Sequence, residues 1–222
     1  HNVFSNNVVS NYSDKGFYCG ACYYSVFENN SLVNELKPTA QLTDRSSGFF
    51  LDGAFNNFSS NTIENPPGNG FTLGVYSQYN NFSFNQITGA LLSGFNVDGS
   101  DYLFFLNNSV LNSAEYGLFI EVSRNGSFYY NTFLSSVVAD VWFASGTRNM
   151  LGVGNTCVSG QVWWSDGKRR CDYPLPQTPG LSLAQLVFNP TLQNSSYSIL
   201  VELKPLALLK LVVKQGGSTK IL

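Results

Sequence analysis

Charge is scarce in this sequence. Only 12% of its 222 residues are charged, about half the usual share, and the formal net charge is −2. The longest basic tract is Lys168-Arg169-Arg170. That is too short for the sustained positive surface that binds phosphate, so nucleic acid is excluded as a partner. Histidine and methionine occur once each, as His1 and Met150. Copper delivery needs clusters of such donors, so no metal and no cofactor is expected. No apolar run approaches the ~18 residues of a membrane-spanning helix. The longest, Leu206 to Val213, is broken by Lys210. No signal peptide is visible. The sequence opens in mid-pattern at His1, which reads as a processed or excised piece with a leader, an anchor or further coils outside it.

What is present in place of charge is asparagine, at 25 residues, with serine and threonine. Polar, uncharged side chains of this kind suit turns and stacked side-chain ladders better than a helical bundle. Aromatic residues reach 15% and apolar residues 43%, so a core can form and low-complexity disorder is excluded.

One pattern recurs, Phe-x-x-Asn-x-apolar. It reads Phe4/Asn7/Val9, Phe27/Asn30/Leu32, Phe58/Asn61/Ile63, Phe82/Asn85/Ile87, Phe105/Asn108/Val110 and Phe128/Asn131/Phe133. A seventh copy keeps Asn155 and Cys157 but has Gly152 in place of Phe. A second pattern, Gly-apolar-x-apolar, follows the Asn by nine residues in most copies. It reads Gly16-Phe17-Tyr18-Cys19, Gly48-Phe49-Phe50-Leu51, Gly70-Phe71-Thr72-Leu73, Gly94-Phe95-Asn96-Val97 and Gly117-Leu118-Phe119-Ile120. The sixth copy degrades it to Asp140-Val141-Trp142-Phe143. One longer step is explained by a loop from Asn34 to Ser46 that bulges from the second coil.

Apolar residues two apart share a face of a strand. A period of ~23–24 residues therefore predicts stacked coils of an all-β, parallel β-helix solenoid, about seven in number, with equivalent residues about 4.8 Å apart. The Asn is expected at a turn, in the left-handed conformation it tolerates, with its amide bonded to the Asn of the next coil. Glycine is expected to allow the other bend. A hairpin sandwich does not repeat a turn residue at fixed spacing, and the leucine-rich-repeat signature is absent. The expected organisation is a β-helix over 1–160, a disulfide-stapled capping loop over 161–176, and cap strands or an inter-subunit segment over 177–222.

These motifs resemble the right-handed parallel β-helix (pectate-lyase-like) superfamily, in particular the NosD-like group of secreted carbohydrate-binding and sugar-hydrolase repeat proteins. The resemblance covers residues 1 to about 160. It implies the fold well and the activity poorly, because one fold hosts many functions.

Cys157 sits at the inward position of the last coil, fourteen residues before Cys171. A disulfide between them would staple a loop over the end of the core and implies an oxidising compartment. Cys19 and Cys22 form a Cys-x-x-Cys without a thioredoxin-like context or a second metal half, and read as a local disulfide or two buried thiols.

β-Helix enzymes carry their chemistry on an outer strand face. The outward positions after each repeat Gly are Tyr18, Phe50, Thr72, Asn96, Phe119 and Trp142, then Gly20, Asp52, Gly74, Asp98, Glu121 and Ala144. Asp98 and Glu121 would lie side by side, as the carboxylates of a glycosidase or as a shared Ca²⁺ ligand pair. No Lys or Arg falls at these positions to act as a lyase base. Phe50, Phe119 and Trp142 are candidate sugar platforms. Sequons at Asn11, Asn29, Asn57, Asn81, Asn107, Asn125 and Asn194 make a glycoprotein plausible. The expected function is a non-catalytic secreted or cell-surface structural or adhesive protein, a homo-oligomer, end-to-end polymer or filament subunit. The alternative is a carbohydrate-binding module or a polysaccharide-active enzyme.

Overall fold

A computed structural model describes residues 1–34, 46–161, 171, 198–202, 210–215 and 218–221. The chain divides into two units, His1–Gln177 and Thr178–Leu222. The second contains a three-stranded antiparallel sheet of Ser198–Glu202, Lys210–Gln215 and Ser218–Ile221. The predicted capping loop lies largely outside the described residues, as do the bulge over 35–45 and the apolar segment Leu181 to Phe188.

The first unit is the predicted parallel β-helix. Each coil contributes one strand to each of three sheets, and every strand pairs in parallel with its counterpart one coil away. The first sheet runs from Val3–Ser5 to Leu151–Val153, the second from Val8–Ser10 to Thr132–Leu134, the third from Lys15–Tyr23 to Gly160–Gln161. Six coils are complete and a seventh is partial, with strands in the first and third sheets and a bridge at Thr156 where the second would continue. Register is kept across the long second coil, where Phe27 pairs with Phe58 and Leu32 with Ile63.

The core is three columns of side chains. Phe4, Phe27, Phe58, Phe82, Phe105 and Phe128 stack at 4.7–5.1 Å between ring centres. Phe17, Phe49, Phe71 and Phe95 form a second stack at 4.9–5.0 Å. The two columns meet edge to face, as at Phe58–Phe71 (82°) and Phe82–Phe95 (79°). Stacking along the axis and edge contact across it are both favoured ring geometries. Leu32, Ile63, Ile87, Val110 and Phe133 complete the third side and are buried.

The asparagine ladder is continuous from Asn7 to Asn155. Each Nδ2 donates to the Oδ1 one coil on, at 2.8–2.9 Å over six steps. The backbone N–H of the same residue donates to that same oxygen at 2.9–3.1 Å. From Asn30 onward, each Nδ2 also donates to the carbonyl of the motif Phe one coil back, as Asn85 does to Phe58 at 2.9 Å. Asn30 to Asn131 therefore each donate two bonds and accept two, so burial costs them little.

Two expectations about the corners need correction. The ladder Asn is not the left-handed residue. Positive φ falls on the residue before it: Asn6, Asn29, Ser60, Phe84, Asn107 and Tyr130, at 52–57°. The ladder position is selected for its hydrogen bonds instead. The repeat glycines do not adopt positive φ either. They are needed for space: a Cβ on Gly94 would stand 2.2 Å from Val110 Cγ1 and 2.6 Å from the Gly117 carbonyl.

At the third corner, Tyr24, Phe55, Tyr79 and Tyr102 have φ of 54–59°. Bulky residues there cost about 1–2 kcal/mol each. Their rings stack at 4.6–4.9 Å, within 10° of parallel, which offsets that cost at about 0.5–1.5 kcal/mol per pair. Asn125 and Asn149 take over the position in the next coils, bonded amide to amide at 3.1 Å. In the sixth coil Asp140 replaces the repeat glycine. Its buried carboxylate accepts the backbone N–H groups of Ser136, Val158 and Ser159 at 2.8–3.1 Å, tying that coil to the next.

Both cysteine pairs are disulfides, Cys19–Cys22 and Cys157–Cys171, and among the described residues no free cysteine remains. Cys157 is buried in the third core column, below Phe133, and its bridge closes a sequence separation of 14.

Three stability outcomes are expected in urea unfolding. Asn85→Ala strands donors and acceptors in two neighbouring coils and lowers stability by about 2–5 kcal/mol. Gly94→Ala overpacks the coil interface and costs about 1–3 kcal/mol. Cys157→Ser with Cys171→Ser removes a loop closure worth about 3 kcal/mol, and chemical reduction of the wild-type protein, which also opens Cys19–Cys22, lowers stability at least as far.

Candidate functional site

Three strands of the third sheet alternate cleanly, because apolar residues two apart must face the column of rings. In Phe95–Asp98, Phe95 and Val97 are buried while Asn96 and Asp98 point out. In Tyr116–Glu121, Leu118 and Ile120 are buried while Phe119 and Glu121 point out. In Ala139–Phe143, Val141 and Phe143 are buried and Trp142 points out.

Parallel register turns these positions into two columns on one face. Asn96 pairs with Phe119, and Phe119 with Trp142. Asp98 pairs with Glu121 in the neighbouring column. The side-by-side placement expected for the two carboxylates is the one observed. Asp98 is exposed and Glu121 half-buried, and among the described residues neither takes part in an ion pair. Asp52 stands further along the same column, with Gly74 between it and Asp98. Lys15, on the first strand of the sheet, is a cation that reaches this face. It pairs with Asp14, and its Nζ lies 5.4 Å from the centre of the Phe50 ring.

Phe119 and Trp142 are half-buried, and both pack against Tyr116, with ring centres 5.1 and 6.1 Å apart. Phe50 does not join them. It lies in the same column but only 9% exposed, beside Tyr18 and beneath Lys15. Thr72, also buried, accepts a hydrogen bond from Asn69 Nδ2 at 3.0 Å and separates Phe50 from Asn96. The open part of the face is therefore the stretch over coils four to six.

Two aromatic features escaped the sequence reading. Tyr116 occupies no outward position of the repeat, and only the register brings it against Phe119 and Trp142. The corner stack of Tyr24, Phe55, Tyr79 and Tyr102 had a signal, since each residue precedes its ladder Asn by six. These rings are 44–52% exposed, yet they cover one another's faces and offer mainly edges to solvent. Sugar rings stack on faces, so this stripe fits register keeping better than ligand contact.

The sequons sit in places the fold itself explains. Asn11, Asn29, Asn107 and Asn125 hold left-handed corners. Asn57 and Asn81 are neighbours on the outside of the first sheet, with Asn81 Nδ2 donating to Asn57 Oδ1 at 3.0 Å. Asn194 lies outside the described residues. Among titratable groups, Tyr12 is pushed upward by burial and stays neutral. Its hydroxyl has no hydrogen-bond partner among the described residues. No group of three or more His, Cys, Asp or Glu that could hold a metal occurs among the described residues, and no helix there is long and apolar enough to cross a membrane.

No curated protein is similar in sequence at a significant level. Among solved structures, the chain is similar to the A-module of mannuronan C-5 epimerase AlgE4 from Azotobacter vinelandii, with a TM-score of 0.49 and 16% identity. That likeness covers 72% of this chain and 47% of the module, so the chain spans less than half of the structure it resembles. A family model described as periplasmic copper-binding protein (NosD) matches residues 1–165, which hold the whole ladder from Asn7 to Asn155 and every complete coil. The chain is a member of the NosD family of parallel β-helix proteins.

Proposed function

We propose that this protein is a non-catalytic, secreted or cell-surface β-helix that holds a glycan chain on the outward face of its third sheet. The observation that carries this reading is the in-register placement of Phe119 and Trp142 on adjacent coils, both buttressed by Tyr116. Aromatic rings held in a row by a rigid sheet suit sugar rings, and Asn96 extends the row with an amide that can donate and accept. Equivalent positions repeat about every 4.8 Å, so the surface suits a polymer lying along the axis. The two disulfides agree with an oxidising compartment.

The family description names copper, and the donor set here does not fit it. All four cysteines are in disulfides, the single methionine, Met150, is 1% exposed in the core, and the single histidine is His1. Copper sites draw on thiolate, thioether and imidazole ligands, which this chain does not gather.

Catalysis by Asp98 and Glu121 is the second reading, favoured by their direct pairing. Against it, the described outward positions that follow the repeat glycines carry no Lys or Arg to act as a base, and Lys15 on the first strand is engaged by Asp14.

In calorimetric titration with neutral β-linked oligosaccharides, Trp142→Ala and Phe119→Ala are each expected to weaken binding about tenfold, or ~1.4 kcal/mol. Melting temperature should fall only modestly, because both side chains pack against Tyr116 on the outer face and not in the core. Binding that survives the double substitution would remove this face from consideration. No new reducing ends should form on prolonged incubation; their release, lost in Asp98→Asn with Glu121→Gln, would establish the enzymatic reading.

A further inference from the structure

The acidic column beside the aromatic row breaks a rule of sheet construction. Like charges directly opposite on neighbouring strands destabilise a sheet, and Asp98 stands directly opposite Glu121. Native sheets relieve such a pair with a cation, yet among the described residues neither carboxylate has an ionic partner. Asp52 adds a third carboxylate to the same column. Among the described residues, the charged outward positions that follow the repeat glycines are thus Asp52, Asp98 and Glu121, all negative. Lys15, on the first strand of the sheet, is engaged by Asp14 and Phe50.

The two columns form one surface. Phe119 and Glu121 are two residues apart on one strand, so their side chains leave the same face about 7 Å apart. A polymer stacked on Phe119 and Trp142 would lie with one flank along Asp98 and Glu121. A polyuronate in that position would set its own carboxylates against these two, neither of which has an ionic partner among the described residues. A glycan with protonated amino groups would instead bring a cation to that pair.

We infer that the face selects an amino-sugar polymer, with Trp142 and Phe119 taking the sugar rings and Asp98 and Glu121 setting the preference for free amines over acetylated or acidic sugars. This rests on the glycan-binding reading above and commits that reading to one chemical class. The carboxylates here are specificity determinants, and the aromatic rings remain the anchors.

The test uses the full chain and three probes of equal length: a β-linked glucosamine oligomer, its fully N-acetylated counterpart and an oligouronate. Titrations are run under mildly acidic conditions, where the amines are protonated. The glucosamine oligomer is expected to bind at least tenfold tighter than the acetylated one, and the oligouronate not at all. The preference should shrink steeply as salt rises, because the charges are near the surface. Asp98→Asn with Glu121→Gln should bring the two β-linked oligomers within about twofold of each other while leaving the acetylated one unaffected. The salt dependence of the wild-type protein provides the same information without any substitution. Equal affinity for the amine and acetylated forms, or tightest binding of the oligouronate, overturns the inference while leaving glycan binding intact, provided Trp142→Ala weakens it about tenfold. Failure of all three probes to bind overturns both.

Discussion

A primary amide carries two N–H donors and a carbonyl with two lone pairs, and the structure depends on that inventory being spent in full at one point in every coil. A buried asparagine normally destabilises a core, since each unmet polar group costs about 1–3 kcal/mol. Stacking identical amides at the strand spacing removes the penalty. The side chain of Asn85 donates to Asn108 Oδ1 and to the Phe58 carbonyl, and its own Oδ1 accepts from the backbone and side chain of Asn61. Three successive coils are joined by one residue. Shift one coil by a single residue and the amide meets a side chain of the wrong polarity, while the phenylalanines turn to solvent.

With register fixed in this way, the rest of the interior follows by stacking. Phenylalanine sits on phenylalanine at close to 5 Å, a separation that strand spacing imposes and that ring stacking tolerates well. The corners absorb the backbone cost. Each turn into the second sheet needs a left-handed residue just before the ladder, and the chain supplies Asn, Ser, Phe or Tyr there, so residue type is loosely constrained. The repeat glycines are tightly constrained, because the neighbouring coil fills the space a side chain would need. The serine and threonine hydroxyls at the third corner, such as Ser77 and Ser100 bonded to the Leu51 and Gly74 carbonyls, meet backbone groups that the turns leave open.

The candidate face inherits its precision from the same stacking. A sheet whose inner side is locked by rings and amides holds its outer side in matching register, so residues far apart in sequence stand as immediate neighbours. Asp98, Glu121, Phe119 and Trp142 need no loop to position them. The family assignment and the fold say little about which ligand uses the face, and the donor set of this chain departs from the copper named in the family description. What sets the face apart is its two surface columns, one of carboxylates without an ionic partner among the described residues and one of buttressed rings.

The sequence by itself determined the period, the ladder from Asn7 to Asn155, the inward columns and the pairing of Asp98 with Glu121. All of these repeat along the chain, and a repeat is legible without coordinates. Tertiary structure decided what does not repeat in the same way. It buried Phe50, which the alternation placed outward, beneath Lys15 and beside Tyr18. It brought Tyr116 against Phe119 and Trp142, moved positive φ to the residue before each ladder Asn, and gave Asp140 three backbone donors where the repeat glycine would stand. Periodicity encodes which face a side chain takes, because strand geometry alternates on its own. How open that face is, and which groups meet across it, depends on packing between coils that no single coil's sequence contains.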